Sequence, residues 1–320
     1  MKLFWLVSGF LLFNSVFICV QKVKHESIKG ITISSVSQKQ LTYYRLEDVI
    51  KRHSFNNSIM LMCTDSGYIN MFMNSYHVSN LQQYKTLIVT CLDKPCYNQL
   101  KKMHINVALV SAESDGLVDT SKASTFGSPA FQNKVQWKLI MLLQAVNQNV
   151  RVLYLDSDII LFKDPFPVLN SYTGYDILAQ KDGEICTGFM YLFPTRLTKQ
   201  LLEETIEIRP KMTKADDQHA FNKVVSSNPS TKLLYLPEQL FSSGAVFFKM
   251  HSYYWDNISE KQIMMHNNYV VGIINKNYRL KELKMYTLDV NGEYSNPEAK
   301  YLTIEKWGIR IIAILYREYQ

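Results

Sequence analysis

Apolar residues fall along this chain in short runs separated by polar turn residues, and the spacing within the runs changes from place to place. At 59–64, 86–92 and 106–110 the runs are short and continuous, as in strands covered on both faces. Asp65-Ser66-Gly67 closes the first of them with turn chemistry. The stretches up to about 78 and over 95–103 read as helices. Over 129–147, Val135, Leu139, Leu142, Leu143 and Val146 recur at helical spacing. Farther on, 176–181, 188–193, 232–236 and 245–249 read as strands, and 196–208 and 215–226 as helices. This alternation predicts an α/β fold whose mostly parallel sheet carries helices on both faces. In such sheets ligands sit at the carboxyl ends of the strands. Thr64, Asp65, Asp93 and an aspartate pair all fall there.

That pair interrupts the most apolar run of the chain, 152–162, at Asp156 and Asp158. Read as one buried strand, the run has no cheap place for carboxylates, because an unpaired buried charge costs several kcal/mol. Positions i and i+2 of a strand share a face, so the two side chains converge. Two hard oxygen donors at a strand end predict a divalent cation, Mn²⁺ or Mg²⁺, of the kind that also touches a substrate phosphate. The plainer alternative is a helix cap or a salt-bridged strand end.

Composition narrows the class. With 320 residues, 47% of them hydrophobic and 20% charged, the chain has ample material for a core. The net charge of +7 comes from scattered Lys and Arg with no run longer than a pair, which argues against a nucleic-acid partner and suits a small anionic ligand. Residues 3–20 carry no charge and are followed by Lys22 and Lys24. Asn14 and Ser15 interrupt the apolar segment, and Ile18-Cys19-Val20 is a poor cleavage site, so a signal anchor is favoured over a cleaved peptide. The expected topology is single-pass type II with a lumenal domain in the Golgi or ER, secreted if the segment is cleaved. The sequons Asn56-Asn57-Ser58 and Asn257-Ile258-Ser259 agree. The organisation expected is an anchor at 1–21, a stem at 22–55, a catalytic domain at 56–295 and a basic, amphipathic tail at 296–320. Cys63, Cys91, Cys96 and Cys186 allow three disulfide pairings, and Cys63 and Cys91 read as core residues of buried strands.

Separated stretches then match one family in order: Leu155-Asp156-Ser157-Asp158 with Asp164-Pro165, Thr187-Gly188-Phe189, Asp217-Gln218 with Phe221-Asn222, Leu236-Pro237 with Phe241 and Ser243-Gly244, and His266-Asn267-Asn268 with Gly272 and Lys276. The chain resembles the nucleotide-diphospho-sugar transferases of glycosyltransferase family 77 over about 59–283. The resemblance implies a GT-A type fold, a single Rossmann-like domain with a mixed, mostly parallel sheet. It implies retaining transfer of a sugar from a nucleotide-sugar donor, by expectation a UDP-sugar, to a glycan or glycoprotein acceptor. Asp158 and His266 would ligate the metal, and Asp156 would hold the metal or the donor ribose. Gly272 and Lys276 would face the diphosphate, Lys138 the donor phosphates or the sugar, and Thr64 and Tyr68 the nucleoside. Asp182, Asp217 and Gln218 would line the transferred sugar and the acceptor as the catalytic group. Cys186 departs from the family pattern, which commonly has Asn before Thr-Gly.

Each residue also has a plainer reading. His266 can be a satisfied structural histidine, Lys276 a solvated lysine, Lys138 a residue of the helix's wet face, and Asp216-Asp217 a helix cap. Two other functions stay open. One is an inactive lumenal binding protein of transferase descent. The other is a haloacid-dehalogenase-type phosphatase, whose strand also ends in Asp-x-Asp with the first Asp as nucleophile.

Overall fold

The computed structural model describes residues 43–110, 122–212, 215–250, 262–283 and 285–288. A seven-stranded sheet forms its centre. The strands are β1 (Ser58–Thr64), β2 (Leu87–Cys91), β3 (Val107–Leu109), β4 (Arg151–Leu155), β6 (Ile177–Asp182), β7 (Glu184–Leu192) and β8 (Leu233–Tyr235). Their spatial order is β3-β2-β1-β4-β7-β6-β8. Neighbours pair in parallel except around β7, which runs antiparallel to both β4 and β6. This is a mixed, mostly parallel sheet. A second sheet joins β5 (Ile159–Leu161), β10 (Met264–His266) and β9 (Phe241–Ser242).

Alternation along the strands sorts side chains to two faces. Ile59 and Leu61 of β1 and Val152 of β4 are buried against helices α1 (Leu46–His53), α4 (Pro129–Asn147), α5 (Arg196–Ile208) and α6 (Asp217–Ser227) through Val49, Leu142, Leu201 and Phe221. Met60, Met62 and Leu153 face the other way, toward α2 (Ile69–Val78), α3 (Lys94–Lys102) and the small sheet. With both faces covered, a strand has no wet side, which is why these segments read as unbroken apolar runs. Helix starts follow side-chain caps: Ser128 accepts from Phe131 N–H at 3.2 Å ahead of Pro129, and Thr195 accepts from Thr198 N–H at 3.1 Å.

Four expectations need correction. The run 152–162 is not one strand: β4 and β5 belong to different sheets, and Asp156-Ser157-Asp158 is the turn between them. The carboxylates converge because the chain changes sheets there. The segment read as a strand at 245–249 is instead helix α7 (Gly244–Met250). A short apolar run carries no period that separates a buried strand from a buried helix turn, and Ser243 starts the helix by accepting from Val246 N–H at 3.3 Å. Cys91 is not a free core residue but is disulfide-bonded to Cys96, while Cys63 and Cys186 are free. The stretch assigned to a stem folds from Leu46 into α1, with Leu46, Val49 and Ile50 buried. The apolar segment 3–20 and the tail from 296 lie outside the described residues. Among the described residues no helix is long and apolar enough to cross a membrane.

Leu142 is fully buried between α4 and the sheet. Leu142→Ala is expected to lower stability by about 2–5 kcal/mol, lost transfer energy plus a cavity. Urea unfolding checks this.

Candidate active site

The carboxyl ends of β1 and β4, the bend in β7 and the start of α6 open onto a cleft of about 780 Å³. Its floor is set by a shift in the pairing of β6 with β7. Ala179 pairs with Met190, but Gln180 pairs with Cys186, so Thr187, Gly188 and Phe189 are looped out of that ladder. Asp156 N–H donates to the carbonyl of Gly188 at 2.8 Å. A Cβ on Gly188 would lie 2.5 Å from His266 Cε1 and 2.6 Å from Asp156 Oδ2, so only glycine lets those side chains close in.

His266 comes from the small sheet. The antiparallel register of β5 with β10 puts it opposite Ile159, directly after Asp158. Asn267 N–H also donates to the carbonyl of Asp158 at 3.0 Å. The result is a cluster of Asp156, Asp158 and His266 whose ligand atoms lie within 4.8 Å of one another. His266 Nε2 stands 3.3 Å from Asp158 Oδ1, and Lys276 Nζ 2.6 Å from Asp158 Oδ2. Lys276 sits in the first turn of α8 (Ile273–Glu282), which begins after Gly272 at a φ of 87°. That backbone angle favours glycine. Burial pushes the Asp158 carboxyl up, but Lys276 and His266 outweigh it and hold the group far below its ordinary range. Burial lowers His266, and Asp158 with Cys186 outweighs that, leaving the imidazole well above its ordinary value.

Helix α4 supplies a second group of charges. Lys138 is buried, with Nζ 2.9 Å from Asp217 Oδ2, 3.3 Å from Asp156 Oδ1 and 3.3 Å from Thr187 Oγ1. It does not lie on a wet face. Burial would lower its pKa, but Asp156 and Asp217 raise it above the ordinary lysine value. Asp217 also accepts from Thr187 Oγ1–H at 2.8 Å. Burial pushes its carboxyl up, and Lys138 overrides that to hold it below the ordinary range. Asp216, not Asp217, is the cap of α6, accepting from His219 N–H at 2.8 Å. Gln218 Oε1 accepts from Thr187 N–H at 3.4 Å. Asp182 accepts from Asn268 Nδ2 at 3.1 Å and from the Tyr269 hydroxyl.

Thr64 and Tyr68 line the end of the cleft near β1. Tyr68 donates its hydroxyl to the carbonyl of Ser124 at 3.2 Å. Beside them is a buried pair the sequence reading passed over, Lys134 Nζ to Asp65 Oδ2 at 2.6 Å. Its signal was present: Lys134 and Lys138 are one helical turn apart on the inner face of α4. Gln180 was passed over as well. It is fully buried and meets His266 Nδ1 at 3.0 Å, and an isolated glutamine in a strand carries no sequence signal.

The family model for nucleotide-diphospho-sugar transferases matches residues 82–280. The chain belongs to that family. This transferase is therefore a glycosyltransferase, and the phosphatase alternative falls. It is 25% identical over 287 residues to the Arabidopsis thaliana protein named UDP-D-xylose:L-fucose alpha-1,3-D-xylosyltransferase 3, covering 80% of this chain and 73% of the relative. It is 22% identical to the Dictyostelium discoideum UDP-galactose:fucoside alpha-3-galactosyltransferase, covering 76% of this chain and 46% of that one. Among solved structures it is similar to the glycosyltransferase GlyE of Streptococcus pneumoniae, with a TM-score of 0.45 and 15% identity, covering 65% of this chain and 54% of that one.

Lys138→Met in the transferase strands Asp217 without its cation and is expected to cost about 3–5 kcal/mol. Lys138→Met with Asp217→Asn should cost less than the two single changes summed, as a double-mutant cycle in urea measures. Because the folded pKa of Asp217 is depressed, its contribution to stability is complete above the unfolded carboxylate value of about 3.9 and is lost as pH falls through the folded value. Asp217→Asn should flatten that acid limb in pH-dependent melting.

Proposed function

We propose that this transferase moves a sugar, with retention of anomeric configuration, from a UDP-sugar to a fucose-bearing glycan or glycoprotein in the Golgi or ER lumen. A divalent cation, Mn²⁺ or Mg²⁺, is proposed at Asp156, Asp158 and His266. One observation carries the cation. Among the described residues, six carboxylates (Asp65, Asp156, Asp158, Asp182, Asp216 and Asp217) line the cleft against three lysines (Lys134, Lys138 and Lys276) and the His266 imidazole. A diphosphate, itself anionic, is repelled by such a cleft unless a further positive charge enters with it. The donor set fits: two hard carboxylates and an imidazole suit Mn²⁺, and the glycine at 188 leaves them room to close on one point. The UDP-sugar and fucose elements of the reading rest on the names of the two relatives, which share both.

A bound dication supplies charge to stabilise the departing nucleotide diphosphate. The chain's own residues do the rest. Lys276, arriving behind Gly272, adds an ammonium group to the same side of the cleft. Lys138 pairs with Asp217 and the Thr187 hydroxyl donates to it, which keeps that carboxylate anionic but makes it a poor nucleophile. It is better suited to stabilising positive charge on the sugar ring while the acceptor attacks from the face the diphosphate leaves. Gln218 and Asp182 are assigned to orienting the sugar and the acceptor hydroxyl.

The test is donor hydrolysis and transfer to a fucoside by the lumenal fragment, across UDP- and GDP-sugars, with Mn²⁺ or EDTA. A UDP-sugar signal that needs the metal is expected. Asp158→Ala should lower it by at least about 10²–10³-fold, and Lys276→Ala should weaken it less. An Asp158→Ala enzyme as fast as the parent refutes the cation assignment.

A further inference from the structure

We infer that Gln180 is a positioning residue that holds the Nδ1 proton of His266, so that Nε2 is the only imidazole nitrogen open to a cation. The inference rests on the cation reading above. Gln180 lies in β6 of the large sheet, and its side chain reaches across to both partners in the small one. Its Oε1 is 3.0 Å from His266 Nδ1 in β10, and its Nε2 is 3.4 Å from the carbonyl of Phe241 in β9. The Phe241 carbonyl can only accept a hydrogen bond, so the amide nitrogen must face it and the amide oxygen must face His266. An amide oxygen can only accept, so Nδ1 must carry a proton. The other ring nitrogen, Nε2, is the one aimed at Asp158.

Burial makes the arrangement hard to escape. Gln180 is fully buried, and turning the amide over would set its oxygen against the Phe241 carbonyl, two acceptors with no proton between them. The pairing shift that begins at Gln180 is what aims it, because its cross-strand partner becomes Cys186. Cys186 Sγ lies 3.4 Å from the same Nδ1. A thiol can donate to a bare Nδ1 and so permits the opposite tautomer. The glutamine oxygen forbids it. Where a metal-bound histidine donates its second N–H to a fixed acceptor, losing that acceptor typically weakens metal binding about 10–100-fold.

The experiment titrates Mn²⁺ alone into the full chain, without donor, by calorimetry. Gln180→Leu should lose about 10–100-fold in Mn²⁺ affinity, and Gln180→Glu, which keeps an acceptor, should restore it. The Gln180→Glu carboxylate also favours the imidazolium, so the pH midpoint for Mn²⁺ binding should move up. A purely structural role for residue 180 would not move it. Nitrogen NMR of isotope-labelled histidine, with cadmium as the probe, should show coupling to Nε2 of His266 in the parent. Equal Mn²⁺ affinity in the parent and Gln180→Leu overturns the inference alone, as does cadmium coupled to Nδ1. A parent that binds no Mn²⁺ overturns the cation reading as well. If Gln180→Leu fails to fold, the Gln180→Glu midpoint and the cadmium spectrum of the parent decide the matter.

Discussion

The structure depends on keeping carboxylates ionised where little water reaches them. A charge moved from water to a protein interior loses several kcal/mol of solvation, and this cleft holds several such groups at the ends of apolar strands. Three pairings work against that cost, outweighing it for Asp217 with Lys138 and Asp158 with Lys276 and offsetting part of it for Asp65 with Lys134. Each joins elements far apart in the chain, so the cations also act as ties between α4 and the end of β1, between α4 and α6, and between α8 and the β4–β5 turn. Breaking one takes from a buried charge its nearest opposite charge. The same pairing holds Asp158 and Asp217 in the anionic form that substrate chemistry needs.

How much of this the sequence discloses depends on range. Buried strands covered on both faces are legible because every position is apolar, and α4 is legible because its apolar residues repeat at 3.6. The bounds read for 129–147 and 196–208 coincide with the helices, since each has a cap and a long periodic face. What the sequence hides is where a run changes partners. The stretch 152–162 has no glycine or proline, and its two aspartates and serine are as well read as ligands as a turn, so the switch between sheets is invisible until β10 is seen to pair with β5. The helix at Gly244–Met250 is hidden for a related reason: a run of seven residues is too short to show a period.

The site was legible in its parts and not in its joints. Asp156, Asp158, His266, Lys276, Lys138 and Asp217 are all found around one cleft. The contacts that aim them are cross-strand or cross-sheet, through Gly188, Thr187 and Gln180, and no local pattern encodes them. Lys138 shows the limit best. On a helical wheel it can be placed on the wet face, and only the third dimension reveals two carboxylates waiting beneath it.

The small sheet is a patch of two- and three-residue strands, yet it carries the only nitrogen ligand of the proposed cation site. Such a patch has few ladder bonds of its own and leans on its neighbours for order. An ion gripped from both sheets at once would act as a rivet, stabilising the small sheet in its place against the large one. Loading the catalytic centre and fastening down that part of the chain would then be one and the same event.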